Sequence, residues 1–218
     1  MKTKKLMALV VIAISAFVSC DDDDTFGGSG NLISEERTIE SFTKIESSGV
    51  FEINITQDPV QKVVVTADDN IVGNVKTTVS NGTLRVYLKD GNYKNINTSL
   101  DISVNQLTKV LNEGSGFIEA NGFTNNLLVE IENSGSGSIF YEGSTNELQI
   151  ENEGSGEVDC MDLISNSARV DIEGSGDCYI NVENQLKGKI EGSGSIYYQG
   201  SPVVEMDIEG SGKVVKIN

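Results

Sequence analysis

One tripeptide punctuates the second half of this sequence. Gly-Ser-Gly begins at residues 114, 135, 154, 174, 192 and 210, at intervals of 21, 19, 20, 18 and 18 residues. Glu precedes it at Glu113, Glu153, Glu173, Glu191 and Glu209, and Ser134 precedes the remaining copy. A unit of this size cannot bury an apolar face alone, so near-periodic units have to stack. Aligned on the first Gly, the position four residues earlier holds Val110, Ile131, Ile150, Val170, Gly188 and Met206. The position two earlier holds Asn112, Asn133, Asn152, Ile172, Ile190 and Ile208, and the position four later holds Ile118, Ile139, Val158, Cys178, Ile196 and Val214. Charged residues such as Glu130, Glu132, Glu151, Asp171 and Asp207 fall between them. A period of two is that of a strand with one buried face. Each unit therefore reads as strand, Gly-Ser-Gly turn, strand, with glycine admitting positive φ at the turn.

These columns predict an all-β, single-domain parallel β-helix (solenoid) with coils of about 18–21 residues, neighbouring strands lying about 4.8 Å apart. A propeller blade needs about 40 residues, and the Leu/Asn framework of a leucine-rich repeat is missing. Inward Asn112, Asn133 and Asn152 are expected to hydrogen-bond along the stack, each amide donating to the next, so they read as core structure. Residues 31–109 lack the triplet but alternate as strands do, in Phe51-Glu52-Ile53-Asn54-Ile55 and Leu84-Arg85-Val86-Tyr87-Leu88, and Asn81-Gly82 fits a tight turn. They read as irregular early coils with the cap a solenoid requires. The domain is placed at residues 38–218.

The N-terminus reads as an address. Lys2, Lys4 and Lys5 precede an uncharged run from Leu6 to Val18, the layout of a signal peptide over residues 1–19 and too short for a transmembrane helix. Phe17-Val18-Ser19-Cys20 resembles a bacterial lipobox, with Phe17 where Leu is usual, which implies acylation of Cys20 and anchoring to a membrane. Plain secretion is the alternative. Asp21, Asp22, Asp23 and Asp24 follow directly; their mutual repulsion keeps them solvated, and with Phe26-Gly27-Gly28-Ser29-Gly30 they read as a tether over residues 20–37. An acidic run after the lipid-bearing Cys also resembles the surface-export signal of Bacteroidota lipoproteins, which implies an outer-membrane, surface location. A periplasm-facing lipoprotein is the alternative.

Ile45-Glu46-Ser47-Ser48-Gly49-Val50-Phe51-Glu52-Ile53, Asn81-Gly82-Thr83-Leu84, the serial Gly-Ser-Gly turns and the stretch from Gly194 to Pro202, in this order, resemble the head GIN domain of the putative auto-transporter adhesins common in Bacteroidota. The resemblance implies a β-helical cell-envelope protein with an adhesive role, and it supplies no catalytic residues.

The chemistry agrees with binding over catalysis. The chain has no His, which removes the Ser-His-Asp triad, the Cys-His dyad and His-ligated metals. A net charge of −17, reaching −20 from Cys20 onward, argues against nucleic acid as a partner. A polysaccharide-active enzyme on a β-helical sheet is the alternative from architecture, but Arg169 beside Asp171 reads as a surface ion pair. The Glu column before the triplets reads as a solvated ladder, since the residue after the triplet varies (Phe117, Ser138, Glu157, Asp177, Ser195, Lys213) where a calcium β-roll has Asp. Neither metal nor cofactor is assigned. Cys160 and Cys178 fall at inward parity in different columns; a disulfide would need distortion, and two small buried hydrophobes is the simpler reading. Phe140, Tyr179 and Tyr197 follow the inward column directly and are expected on the outer face, for a glycan or a protein ligand. The expectation is a non-enzymatic surface lipoprotein, with a ligandless structural envelope component as a further alternative.

Overall fold

The computed structural model describes residues 25–217, all of whose regular elements are strands. The first are β1 (Thr25–Gly27), β2 (Leu32–Glu36), β3 (Lys44–Ser48), β4 (Glu52–Gln57), β5 (Lys62–Asp68) and β6 (Val75–Ser80). There follow β7 (Thr83–Leu88), β8 (Asn92–Lys94), β9 (Thr98–Val104), β10 (Lys109–Asn112), β11 (Phe117–Asn133) and β12 (Ser138–Asn152). The last are β13 (Val158–Ile172), β14 (Cys178–Ile190), β15 (Ile196–Gln199), β16 (Val203–Ile208) and β17 (Val214–Lys216). Fifteen of them form one sheet, and β1 pairs with β8 in a small second one.

The all-parallel β-helix expected from the triplet spacing does not form. The large sheet is mixed and curls into a half-barrel, because β2 and β9 both run antiparallel to β5, and β6 runs antiparallel to β7. The reason lies in the half without triplets. Asn81 and Gly82 both take positive φ, 51° and 72°, the two-residue hairpin geometry that reverses the chain into an antiparallel neighbour. From β10 onward the pairs are parallel, and the aligned columns pair as aligned: Val110 with Ile131, Ile131 with Ile150, Ile150 with Val170, and Val170 with Gly188. Register shifts interrupt β11–β12 between Ala120 and Asn126, and β13–β14 between Cys160 and Ile164. Irregularities of this kind bend a strand. Each long strand thus lends its two halves to opposite walls of one apolar core containing Phe51, Ile118, Phe123, Tyr141 and Ile180.

The triplet glycines are needed for a reason other than positive φ, since none of them has it. They are needed for closeness. A Cβ built on Gly135, Gly154, Gly174 or Gly192 falls 1.8–1.9 Å from the carbonyl oxygen of the first glycine of the preceding triplet. That same oxygen accepts the peptide N–H of the next serine, as from Ser155 to Gly135 at 3.2 Å and from Ser175 to Gly154 at 3.1 Å. The turns therefore stack backbone on backbone with no room for a side chain. Gly49-Val50-Phe51 performs this service at the β3–β4 corner: Ser115 and Gly116 both donate to the Gly49 carbonyl.

The Asn column is buried and bonded as expected. Asn112 Nδ2 donates to Asn133 Oδ1 (3.2 Å), Asn133 Nδ2 to Asn152 Oδ1 (3.4 Å), and Asn152 Nδ2 to the Gly156 carbonyl (3.0 Å). Each amide finds its partner within the stack, so burial leaves few polar groups unmet.

The segment read as a flexible linker is pinned. Beyond the β1–β8 pairing, Phe26 stacks on Tyr93 with ring centroids 5.3 Å apart. The buried Asp68 carboxylate accepts the N–H of Gly30 (2.7 Å) and of Asn97 (2.8 Å). Ser29 Oγ donates to Asp69 and Asn70 Nδ2 to the Gly27 carbonyl. The Asn97 N–H, more than the Gly30 one, holds the Asp68 carboxyl below its ordinary 3.8, against the opposing effect of burial. A lowered carboxyl contributes stability above the ordinary range, and that contribution is lost as pH falls through the lowered value. Asp68→Asn is therefore expected to free residues 25–31. Limited proteolysis at neutral pH should cut the variant near Gly27–Asn31 and leave the parent intact; equal resistance would show that the β1–β8 pairing alone holds the segment.

Candidate binding surface

Two outer faces are available, one from each half of the long strands. On the first, β10 to β14 and β16 carry the charged residues between the inward columns. Lys109 bridges Glu132 (2.5 Å), Arg169 bridges Asp171 (2.8 Å), Lys187 bridges Glu205 (2.9 Å), and Lys189 bridges Glu191 and Glu209. Arg169 and Asp171 are thus the surface ion pair expected of them. Glu151 stands between Glu132 and Asp171 in register. Partial burial first, then the charges of Glu153, Glu132, Glu173 and Asp171, raise its carboxyl above the ordinary range. The groove here, about 190 Å³ and lined by Glu130, Glu132, Gln149, Glu151, Arg169 and Asp171, is shallow and open. A larger groove of about 420 Å³ lies beside Arg85 and Tyr87, lined also by Glu46, Ser48, Thr78, Asp90 and Glu113. Among the described residues, no group of three or more Cys, Asp or Glu side chains is disposed to hold a metal ion.

The second face holds the aromatics. Phe140, Asp159, Tyr179, Tyr197 and Val215 succeed one another across β12, β13, β14, β15 and β17. Tyr179 and Tyr197 come together as a stack, ring centroids 4.9 Å apart and planes inclined by 13°. Phe140 is not brought to them, because Asp159 stands between. In-register parallel pairing sets like side chains ring to ring, so each tyrosine spends one face on the other. A sugar ring that needs a flat platform finds less aromatic face here than three exposed rings in a sequence suggest. Burial first, then the charges of Glu157 and Asp177, push the Tyr179 phenol up. Cys160 and Cys178 are free thiols buried in the core; burial pushes Cys178 up to about 12 and Cys160 well above its ordinary value, so neither offers a reactive thiolate. Cys20 and Asp21–Asp24 lie outside the described residues.

Residues 41–202 match the family described as "Putative auto-transporter adhesin, head GIN domain". The chain belongs to this family. No curated protein matches it. Among solved structures, this head GIN protein is similar to a putative adhesin from Bacteroides fragilis, at 23% identity and a TM-score of 0.74 over 88% of this chain and 100% of that one. It is also similar to a putative lipid binding protein from Parabacteroides distasonis, at 22% identity and a TM-score of 0.59, and to a putative adhesin from Parabacteroides merdae, at 20% and 0.55. Each covers 89% of this chain and 100% of the other. At these identities the likeness establishes the fold of the head GIN domain.

Asp68 is a functional residue that local pattern does not reveal, whereas β16 falls where the columns of Met206 and Ile208 put a strand. Asp68 had no local signal, because its partners Gly30 and Asn97 are far away in the chain. The pattern did not show that β16 is an edge: Ile208 closes the column of Ile172 and Ile190, and with no further strand beyond it among the described residues it is 46% exposed.

Proposed function

We propose that this head GIN protein is a non-enzymatic adhesin, anchored through acylated Cys20 to the outer membrane and displayed at the cell surface on the Asp21–Asp24 tether. The observation that carries the reading is where the chain enters the fold. β1 and the Asp68 clamp lie beside β5 and β9, toward one end of the sheet order, while β15, β16 and β17 close the other end. An anchor at Cys20 is five residues from Thr25, a reach of at most about 18 Å. The clamped end would then face the membrane and β16 would face away. A protein partner suits the molecule better than a glycan, since Tyr179 and Tyr197 stack on each other and the outer surface mixes acidic side chains with exposed Leu127, Ile164 and Val203.

Protease accessibility on intact cells tests the display. The parent should be digested, Cys20→Ala should be released from the membrane fraction, and replacement of Asp21–Asp24 by Ala should confer protection. If the parent resists until the outer membrane is lysed, the surface reading fails.

A further inference from the structure

Among the described residues the sheet ends on this side at β17, which pairs with β15, and at β16, which pairs with β14. The direction of the β16 peptide groups follows from the ladder. Glu209 donates its N–H to the Ile190 carbonyl (2.9 Å), as Glu191 does to Ile172 and Glu173 to Asn152. Alternation along a strand puts Glu205 and Asp207 in phase with Glu209, facing β14. Val204, Met206 and Ile208 then turn N–H and C=O toward the open flank. Their side chains continue the inward columns of Leu186, Gly188 and Ile190, yet Val204 is 39% exposed. On the outer side of the same strand stand Glu205, Asp207 and Glu209, which β14 meets with Lys187 and Lys189. An edge with unpaired peptide groups, uncovered apolar side chains and an acidic outer row is a template for strand addition.

We propose that this edge receives an extended segment of a partner protein in which Lys or Arg alternates with apolar residues. β14 displays that chemistry on the other flank: Leu186 and Ile190 inward, Lys187 and Lys189 outward. Charge decides against other occupants. A second copy joined edge to edge by a two-fold axis brings the acidic rows of two β16 strands together, on chains of net charge −17. The chain's own Asp21–Asp24 carries the wrong sign. The inference deepens the adhesive reading and rests on it for the setting; binding by purified protein and display on cells are measured separately, so either can fail alone.

The purified protein is titrated with a fluorescent peptide of about twelve residues alternating Lys with Val, read by anisotropy and by amide hydrogen exchange. The expected Kd is on the order of tens of micromolar, with new protection at Val204, Met206 and Ile208. A peptide alternating Glu with Val should bind at least about tenfold more weakly. Val204→Pro removes an N–H that β14 does not use, and should weaken the Lys-Val peptide at least about tenfold with the melting temperature retained. Should that variant misfold, Glu205→Lys with Asp207→Lys serves instead and should reverse the preference between the two peptides. Equal binding of both peptides, no protection at the edge, or full binding by Val204→Pro overturns the proposal. A concentration-dependent dimer that Val204→Pro abolishes makes a second copy the occupant and overturns it equally.

Discussion

Gly156→Ala is expected to cost about 3–5 kcal/mol, at the upper end of what a single methyl group does to a folded protein. The new Cβ would sit 1.7 Å from the Gly137 carbonyl oxygen and 2.8 Å from Asn133 Nδ2. The first of these is backbone, held within a parallel ladder from both sides, so no rotamer change relieves it. Relief requires the strands on either side of the turn to separate, which stretches bonds such as Ser155 to Gly135 and Gly176 to Gly154. Gly73 is the control: it lacks positive φ, and a Cβ there meets nothing within 4 Å. Gly73→Ala should therefore be neutral or slightly stabilising, through the lost freedom of the unfolded chain. Urea unfolding of the three proteins measures the contrast. A Gly156→Ala protein within about 1 kcal/mol of the parent would mean that the turns can part at little cost, and the close-approach account would fail.

Breaking the Asn ladder at its centre should be worse than removing it entirely. In Asn133→Ala the Nδ2 of Asn112 loses its acceptor and the Oδ1 of Asn152 loses its donor, both inside the core. Two unmet polar groups and a small cavity together are expected to cost about 3 kcal/mol or more. The triple replacement of Asn112, Asn133 and Asn152 by Ile removes donors and acceptors together, and continues a column that Ile172 and Ile190 already occupy fully buried. Replacing both partners of a buried hydrogen bond by apolar groups can be nearly neutral, so the triple variant should be more stable than the single one. Denaturant midpoints decide this. If the triple variant loses about three times what the single one does, the amides act independently and the ladder is not a unit.

Much of the architecture was legible because strand alternation is a local property. Val110, Ile131, Ile150 and Val170 share a column in the sequence and pair in the sheet. Asn112, Asn133 and Asn152 do likewise, and Arg169 meets Asp171 across two residues of one strand. The legibility ended where pairing direction was inferred by extension. Residues 44–48 and 52–57 join the parallel stack, with Gly49 standing in for a triplet glycine, but β5 and β6 enter it reversed. An alternating strand carries no mark of whether its neighbour runs with it or against it. Phe140, Tyr179 and Tyr197 are half-buried along one strand column. Their mutual stacking depended on which side chains came between them, and Asp159 came between Phe140 and Tyr179.

The sequence by itself determined the strands, the inward columns, the buried Asn ladder and an acidic exterior, because each follows from residues one or two positions apart. The tertiary structure decided what depends on distant residues meeting. It turned the triplet glycines from φ-permissive turns into points of backbone contact, since the obstructing carbonyl belongs to a residue about 20 positions away. It clamped residues 28–31 with Asp68 and Asn97, and it left the inward row of β16 without a strand to cover it. Those outcomes are set by the order of strands in space, and strand order is fixed only when long-range hydrogen bonds and one shared core are formed together.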